Sequence, residues 1–280
     1  MISAAVSSTP PPPQTRVKPS GEGCVVTAVT SLGDDMFVAC RLNGEYVEVY
    51  HAVTLTFLRR LAVPELGMWV YGLAACPRNN CLYASDYDDN SVHRVKLTGS
   101  NAVQKWSVAG RPAGLSVNKK HNLIVACYES DRLQEYTTHG SLVREICLQA
   151  GVTLPWHAIQ LSTGNYVVSQ CTSPGVVSIV RKDGQVVCNY GGQSQTSEVG
   201  EMRYPASLGV TKNDDILVAD EDNNRILSIN SSRGSIQRLA LSVEDIHSPR
   251  GLCLDKSQGR LYVGEWSRYY RVLVFEDVCV

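Results

Sequence analysis

The sequence lacks the features that mark several large classes of protein. No apolar run approaches the roughly 18 residues that a membrane-spanning helix requires, and no segment shows a sustained helical periodicity. The 280 residues carry a formal net charge of −1, which favours neither nucleic acid nor an anionic membrane as a partner. The start, MISAAVSS, lacks the basic and apolar regions of a signal peptide. We therefore expect a cytoplasmic protein with no membrane contact.

Motifs of common catalytic and metal sites are missing as well. The chain has no G-x-S-x-G and no glycine-rich phosphate loop. Its ten cysteines do not form the clustered pairs that zinc needs. Four of them lie in apolar surroundings, as buried free thiols do: Cys40, Cys127, Cys188 and Cys253. Cys76 and Cys81, in CPRNNC, lie close enough in sequence to leave a disulfide open. We expect no metal and no cofactor.

What the sequence does contain is a repeat. A short apolar run that ends in a small residue occurs six times, and the small residues lie 45, 42, 43, 50 and 45 positions apart. They are Ala39, Ala84, Ala126, Ser169, Ala219 and Gly264. Most runs follow a proline signature such as RPAGLSV at 111–117 or YPASLGV at 204–210. A period of this size is typical of a solenoid or a propeller array.

Each copy reads as four short strands. In the fifth copy the apolar segments SLGVT, DILVAD, RILSIN and SIQRLALS alternate with the turn sequences KNDD, EDNN and SSRG. Four antiparallel strands in each of six repeats predict an all-β, six-bladed β-propeller. The predicted blades are 24–66, 67–109, 110–152, 153–201, 202–246 and 247–280.

Two neighbouring segments near the N-terminus have different predicted structures, an outer strand of the last blade and a tail. After RVLVFED the sixth copy has only VCV left for a fourth strand, and an open seam would leave strand edges unpaired. We expect the segment QTRVKP at 14–19 to supply that outer strand, so that the propeller spans 14–280. Residues 1–13, with TPPPP, are typical of a flexible polyproline tail.

Several segments resemble the NHL repeat. VADEDNNRI at 218–226 matches its pattern best, YASDYDDNSVHRV at 83–95 is looser, and SPRGLCLD at 248–255 matches the opening half. Over roughly 24–276 the chain is similar to the C-terminal propeller of tripartite-motif–NHL proteins. Those ubiquitin ligases also carry a RING and B-boxes, whose paired Cys/His motifs are missing here. The resemblance implies the part of such a system that recognises a substrate or RNA, without ligase activity.

The acidic turn of the best-matching copy has a structural interpretation. In an NHL-type blade, the resemblance implies that Asp220, Asn224 and Arg225 hold the turn between the second and third strands. Short Asp and Asn side chains bond to nearby backbone groups and tolerate the dihedral angles of turns. We therefore expect these residues to be structural rather than ligand-binding.

A binding site is expected at one end of the channel. In a propeller, the starts of the innermost strands and the turns after the second strands lie on the same face. Aromatic and arginine side chains, which dominate binding energy at interfaces, are candidates there: Tyr71, Arg111, Trp156, His157, Tyr204, Arg250 and Trp266. For Trp156, a plug of the channel and a binding surface remain equal alternatives. For His157, a buried structural role is favoured.

The charge of that face favours a protein or peptide partner with a basic segment. The turns after the second strands carry more acids than arginines, and an acidic rim repels a phosphate backbone. Single-stranded RNA bound by a central basic and aromatic patch is the alternative, and a scaffold that binds through other turns is a third. We expect no catalysis, because no ring of oxygen ligands forms and His157 is the one histidine in a plausible place.

Overall fold

The computed structural model describes residues 14–19, 25–40, 44–99, 101–149, 151–192, 200–239, 241, 246–267 and 269–278. They form 24 strands in six four-stranded sheets, with antiparallel pairing between neighbours. A single 3₁₀ turn, Glu221–Asn223, interrupts the described strands and loops. The prediction of an all-β, six-bladed propeller is confirmed. The tail predicted for residues 1–13 lies outside the described residues.

Each blade runs from an inner strand to an outer strand. Blade one comprises β2 (Val26–Leu32), β3 (Asp35–Cys40), β4 (Tyr46–His51) and β5 (Phe57–Ala62). Blade two comprises β6 (Leu73–Cys76), β7 (Cys81–Asp86), β8 (Ser91–Lys96) and β9 (Val103–Ser107). Blade three comprises β10 (Pro112–Val117), β11 (Leu123–Cys127), β12 (Arg132–Tyr136) and β13 (Leu142–Cys147).

The other three blades repeat this order. Blade four comprises β14 (Pro155–Gln160), β15 (Tyr166–Gln170), β16 (Val176–Val180) and β17 (Val186–Gly191). Blade five comprises β18 (Pro205–Val210), β19 (Ile216–Asp220), β20 (Arg225–Ile229) and β21 (Ile236–Arg238). Blade six comprises β22 (Pro249–Asp255), β23 (Arg260–Glu265), β24 (Val272–Phe275) and, from the other end of the chain, β1 (Gln14–Val17).

Strand β1 joins the two ends of the chain in one sheet. It pairs antiparallel with β24, so that Gln14 lies opposite Phe275 and Val17 lies opposite Val272. The outer strand of blade six is therefore β1, from the N-terminal part of the described chain. Because the pairing covers the edge of β24, it removes an open seam from the ring.

Burial explains why the second strands read as continuous apolar runs. All five residues of β11, LIVAC, are buried, because neighbouring blades cover both faces of the sheet at this position. The outer strand β5, FLRRLA, lies at a sheet edge and is mostly exposed. The clearest signal of the repeat thus comes from the strands that the fold buries most deeply.

The apolar core is divided into layers between the blades. One cluster joins blades one and two through Phe37 and Leu82, and another joins blades one and six through Met36 and Tyr262. Further clusters lie between each remaining pair of neighbours. The inner strands contact one another in chain order, and β2 also contacts β22. The blades therefore form a closed ring around a central channel.

A register shift marks the beginning of the inner strands. In four blades a proline opens the inner strand opposite the last residue of the second strand, and the pairing shifts directly afterwards. The pairs are Pro112–Cys127, Pro155–Gln170, Pro205–Asp220 and Pro249–Glu265. Proline suits the first residue of a strand because it lacks an N–H, and a bulge re-aims the side chains that follow it.

Two further sequence expectations concern cysteines and membranes. Cys76 and Cys81 lie opposite each other across the hairpin of β6 and β7, and both are free thiols. Cys40 and Cys127 are buried as expected, whereas Cys188 and Cys253 are partly exposed. Within the described part of the chain, no helix has the length and apolar character needed to cross a bilayer.

Candidate functional site

In blades two to six, a side chain holds the loop that leads into the inner strand. This side chain ends the second strand in four of these blades and comes from the third strand in blade three. A carboxylate or amide oxygen accepts a hydrogen bond from a backbone N–H of that loop, at distances of 2.7 to 3.1 Å. The acceptor and donor residues are Asp86 and Gly67, Gln134 and Ala109, Gln170 and Thr153, Asp220 and Arg203, and Glu265 and His247. These bonds fix the backbone around the channel.

The acidic turn of blade five shows this role in full. Asp220 is fully buried, and its Oδ1 accepts from the Arg203 N–H at 2.7 Å. Its Oδ2 accepts from Arg225 Nε at 2.7 Å and from Asn223 Nδ2 at 2.9 Å. Asn224 has a left-handed backbone with φ of 51° and accepts from the Ser248 N–H in the lead-in loop of blade six. Asp220 therefore braces two loops rather than only the turn that the sequence predicted.

The residues directly after the second strands surround one end of the channel, which we call the mouth. In blades two to six they are Tyr87, Tyr128, Cys171, Glu221 and Trp266. An adjoining layer is formed by Tyr71, which lies just before β6, and by the second residues of the inner strands of blades three to six: Ala113, Trp156, Ala206 and Arg250. In blades three to six, the register shift at the start of the inner strand thus brings two side chains per blade toward the same opening.

Six aromatic side chains form a continuous cluster at the mouth: Trp69, Tyr71, Tyr87, Tyr128, Trp156 and Trp266. The ring centroids of Tyr71 and Trp156 lie 4.9 Å apart, and those of Tyr128 and Trp156 lie 5.6 Å apart. Trp69 and Trp266 stack at 6.2 Å. Such pairs stabilise their arrangement by about 0.5 to 1.5 kcal/mol beyond burial. We call this set the aromatic cluster.

Arg250 lies within the aromatic cluster. Its guanidinium carbon lies 4.4 Å from the ring centroid of Trp266, 4.7 Å from that of Trp156 and 5.1 Å from that of Tyr71. Arg250 Nη1 also donates to Glu221 Oε1 at 3.1 Å. The ring faces and the carboxylate together compensate for the burial of the Arg250 charge, whose side chain is only 14% exposed.

Trp156 closes the centre of the mouth. It is 7% exposed and packs against Ala113 and Ala206, small residues at the equivalent positions of blades three and five. The side chain therefore fills the opening that those two alanines leave. Its ring also forms one wall of a hollow beside Arg250.

His157 lies one residue deeper in the channel and does not reach the mouth. Its Nδ1 accepts from the Leu208 N–H at 2.9 Å, so that Nε2 carries the proton and donates to the Leu115 carbonyl at 3.0 Å. Burial lowers the pKa of His157 to about 4. A neutral imidazole from blade four thus joins the backbones of blades three and five. Gly114 leaves it room, because a Cβ there would come within 2.6 Å of His157 Cδ2.

The hollow beside Arg250 has a volume of about 290 Å³. Its walls are Tyr128, Trp156, Tyr204, Glu221, Asp222 and Arg250, with Cys171 behind them. Burial raises the pKa of the Cys171 thiol to about 12 and also raises the pKa of Glu221, although Arg250 acts against the second shift. The hollow therefore combines aromatic walls, one arginine and two acids.

The structure brings six of the seven predicted site residues to the mouth. Tyr71, Trp156, Arg250 and Trp266 touch one another, while Tyr204, 39% exposed, borders the hollow. Arg111 lies at the edge, 3.2 Å from a carboxylate oxygen of Glu129 and 5.2 Å above the ring of Tyr87.

Sequence reasoning missed Tyr87 and Tyr128, although both sit in the same place in their blades as Trp266. Each directly follows the last residue of a second strand, Asp86 and Cys127 respectively. That shared position was the signal that could have found them.

Residues 202–227, which contain the acidic turn of blade five, match the NHL repeat. The chain carries an NHL repeat. No curated protein is significantly similar to the sequence as a whole. The match covers the segment in which Asp220 braces the loops, so it falls on a structural feature of the NHL-type blade.

Solved structures share the propeller at low identity. Virginiamycin B lyase from Staphylococcus aureus is 10% identical, with a TM-score of 0.69 over 94% of this chain and 99% of that one. Hydrazine synthase from Kuenenia stuttgartiensis is 18% identical, with a TM-score of 0.64 over 93% and 77%. A Bacteroides thetaiotaomicron protein of unknown function is 10% identical, with a TM-score of 0.73 over 94% and 76%. These similarities show the fold alone.

Proposed function

We propose that this NHL-type propeller is a non-catalytic binding module that holds a protein or peptide partner at the mouth of its channel. The observation that carries the proposal is the aromatic cluster around Arg250. Exposed and half-buried aromatic rings beside arginines are typical of the residues that dominate binding energy at protein interfaces. The rigid ring of blades presents them without a large ordering cost.

Two side chains near the mouth, His157 below it and Cys171 in the wall of the hollow, support binding rather than catalysis. Both ring nitrogens of His157 are engaged by the backbones of Leu115 and Leu208, which leaves neither free to take a proton from a substrate. The Cys171 thiol, with a pKa of about 12, is protonated at neutral pH and is a poor nucleophile.

The pairing of the arginines favours a peptide over RNA. Arg111 lies 3.2 Å from Glu129, and Arg250 lies 3.1 Å from Glu221, so both arginines predicted for the site have acidic partners. Asp222, exposed at the rim of the hollow, adds a further negative charge. A phosphate backbone would have to displace these pairs and approach the acids, whereas a basic peptide segment complements them.

Selection from a display library of random linear peptides, with the purified chain as bait, tests the proposal. We expect enriched peptides whose binding falls at least tenfold in Tyr204→Ala, because that change removes an exposed wall of the hollow. Phe57→Ala is the matched control, since Phe57 is an exposed ring at 49% on an outer strand away from the channel. Equal binding by both variants, or no enriched peptide at all, would contradict the proposal.

A titration with a pool of short single-stranded RNA at low and moderate salt tests the alternative. We expect no binding even at low salt. Tight binding that falls steeply with salt would show that the arginines contact phosphates despite their acidic partners, and RNA would replace a peptide as the proposed ligand.

A further inference from the structure

One carboxylate oxygen in the wall of the hollow has no hydrogen-bond donor among the described residues. Glu221 is buried, with 7% of its surface exposed, and uses Oε1 to accept from Arg250 Nη1. Its Oε2 is also buried, and no described residue provides it with a hydrogen-bond partner. A buried acceptor without a donor costs stability unless something else supplies the donor. The oxygen belongs to a residue that lines the hollow.

The balance of charge in the hollow is negative. Arg250 Nε also has no hydrogen-bond partner among the described residues, but the guanidinium lies over three aromatic rings within 4.4 to 5.1 Å. Its positive charge is therefore compensated by those rings and by Oε1 of Glu221. Asp222 is exposed beside Glu221, and no described residue forms an ion pair with its carboxylate. One carboxylate in excess of the single guanidinium remains.

Size and shape indicate what would balance that charge. The volume of about 290 Å³ lies at the lower end of ligand pockets, which span roughly 300 to 1,000 Å³, so a single side chain suits it better than a large ligand. Tyr128, Trp156 and Tyr204 provide aromatic walls. Rings of this kind contact both the apolar stem of a long basic side chain and its charged head.

We propose that the hollow takes one basic side chain, arginine or lysine, from the bound peptide. The charged head donates to Glu221 and Asp222, and the stem lies against Trp156, Tyr128 and Tyr204. This inference rests on the proposed function, because it names the group of the peptide partner that the mouth recognises. Arg250 and the basic residue of the peptide then have different roles. Arg250 forms part of the wall of the hollow, and the peptide's side chain enters the hollow from solvent.

Small capped amino acids test the hollow without requiring a known partner. The probes are the N-acetyl amides of arginine, lysine and citrulline, in which citrulline has the shape of arginine without its charge. We expect arginine and lysine to shift the Trp156 indole resonance in a saturable way in NMR titrations. Citrulline should bind at least tenfold more weakly. Equal binding of citrulline and arginine would overturn the proposal.

Two charge variants assign the effect to the hollow. Asp222→Asn should weaken binding of the arginine probe about tenfold, which corresponds to about 1.4 kcal/mol. Asp183→Asn, on the exposed turn between β16 and β17, is the matched control and should bind as the wild type does. An unchanged affinity in Asp222→Asn would place the probe elsewhere and sink the proposal.

The display selection separates failure of this inference from failure of the proposed function. Enriched peptides should contain a basic residue whose replacement by citrulline or acetyl-lysine abolishes binding at the mouth. If peptides without basic residues bind and Tyr204→Ala weakens them, the mouth is a peptide site but the hollow does not take a cation. If no peptide binds while the arginine probe still shifts Trp156, the hollow takes a cation and the proposed peptide function fails.

Discussion

Blades three and five each fix the loop that leads into the inner strand, but they do so with different side chains. In blade five the acceptor is Asp220, the last residue of the second strand, which bonds to the Arg203 N–H at 2.7 Å. In blade three that position is Cys127, which cannot provide a comparable acceptor. There Gln134, from the neighbouring third strand, reaches across and accepts from the Ala109 N–H at 3.1 Å.

The two acceptors also differ in what else they bind. Asp220 forms a buried ion pair with Arg225 at 2.7 Å. Gln134 is itself uncharged; its Oε1 accepts from the Tyr136 hydroxyl at 2.8 Å, and its Nε2 donates to the Glu145 carboxylate. The fold therefore requires an oxygen at this place, but it does not require an aspartate. This explains why the NHL pattern fits residues 202–227 while the third blade closes in the same way without it.

The largest expected effect comes from removing the charged acceptor. Asp220→Ala leaves Arg225 without its buried partner and the Arg203 N–H without an acceptor, so we expect a loss of about 3 to 5 kcal/mol in the free energy of unfolding. Urea denaturation followed by fluorescence measures it. Asp222→Ala, two residues away and exposed, is the control and should change stability by less than about 0.5 kcal/mol. Equal losses in the two variants would refute a special role for Asp220.

The repeat made the fold predictable because it reflects burial. Second strands such as LIVAC in β11 must be apolar on both faces, so the same short run recurs in each blade at a readable spacing. The turn chemistry of blade five, with Asp220 and Asn224, then resembled a known repeat. Both signals are local in sequence, and both arise from requirements that each blade must meet.

The arrangement of the site was less predictable because it depends on distant backbone. His157 bonds to Leu115 and Leu208, which lie 42 and 51 residues away in two other blades. No local pattern indicates that an inner-strand histidine joins the backbones of its two neighbouring blades in this way. The hollow depends in the same manner on Tyr128, Trp156 and Glu221 from three different blades. Residue types and blade positions could be predicted, whereas their contacts could not.

The buried His157, which links blades three and five, predicts that the free energy of unfolding depends on pH. In the folded protein the pKa of His157 is lowered to about 4, while an exposed histidine titrates at about pH 6.5. As the pH falls between these values, the unfolded chain binds a proton that the folded chain does not. Stability is therefore lost across this window, by roughly 3 kcal/mol in total, and the loss ends below the folded pKa.

A variant without His157 isolates that contribution. In His157→Gln the difference in the free energy of unfolding from the wild type should shrink by roughly 3 kcal/mol between pH 7 and pH 4, because the other groups titrate equally in both proteins. NMR provides a direct check, since the His157 ring should keep the chemical shifts of a neutral imidazole down to about pH 5. If the His157 ring titrated near its ordinary pKa, it would not be the buried, neutral imidazole that joins blades three and five.

The smallest of these effects tests the neutral acceptor of blade three. Gln134→Leu removes the acceptor of the Ala109 N–H and of the Tyr136 hydroxyl, but it leaves no buried charge unpaired, because Glu145 keeps its ion pair with Arg132 at 2.6 Å. We expect a loss of about 1 to 3 kcal/mol and faster hydrogen exchange at Ala109.

Gln104→Leu is the matched control for this change, since Gln104 donates one exposed hydrogen bond to the His139 carbonyl at 2.9 Å. It should alter stability by less than about 0.5 kcal/mol. Gln134→Leu and Asp220→Ala could also lower the free energy of unfolding equally. The buried charge would then not distinguish the two blades, and the loss would come from the lead-in loop without its acceptor. If Gln134→Leu proved as mild as the control, blade three would hold its loop by packing alone, and the shared need for an acceptor would be limited to blades in which a charged or amide side chain ends the second strand.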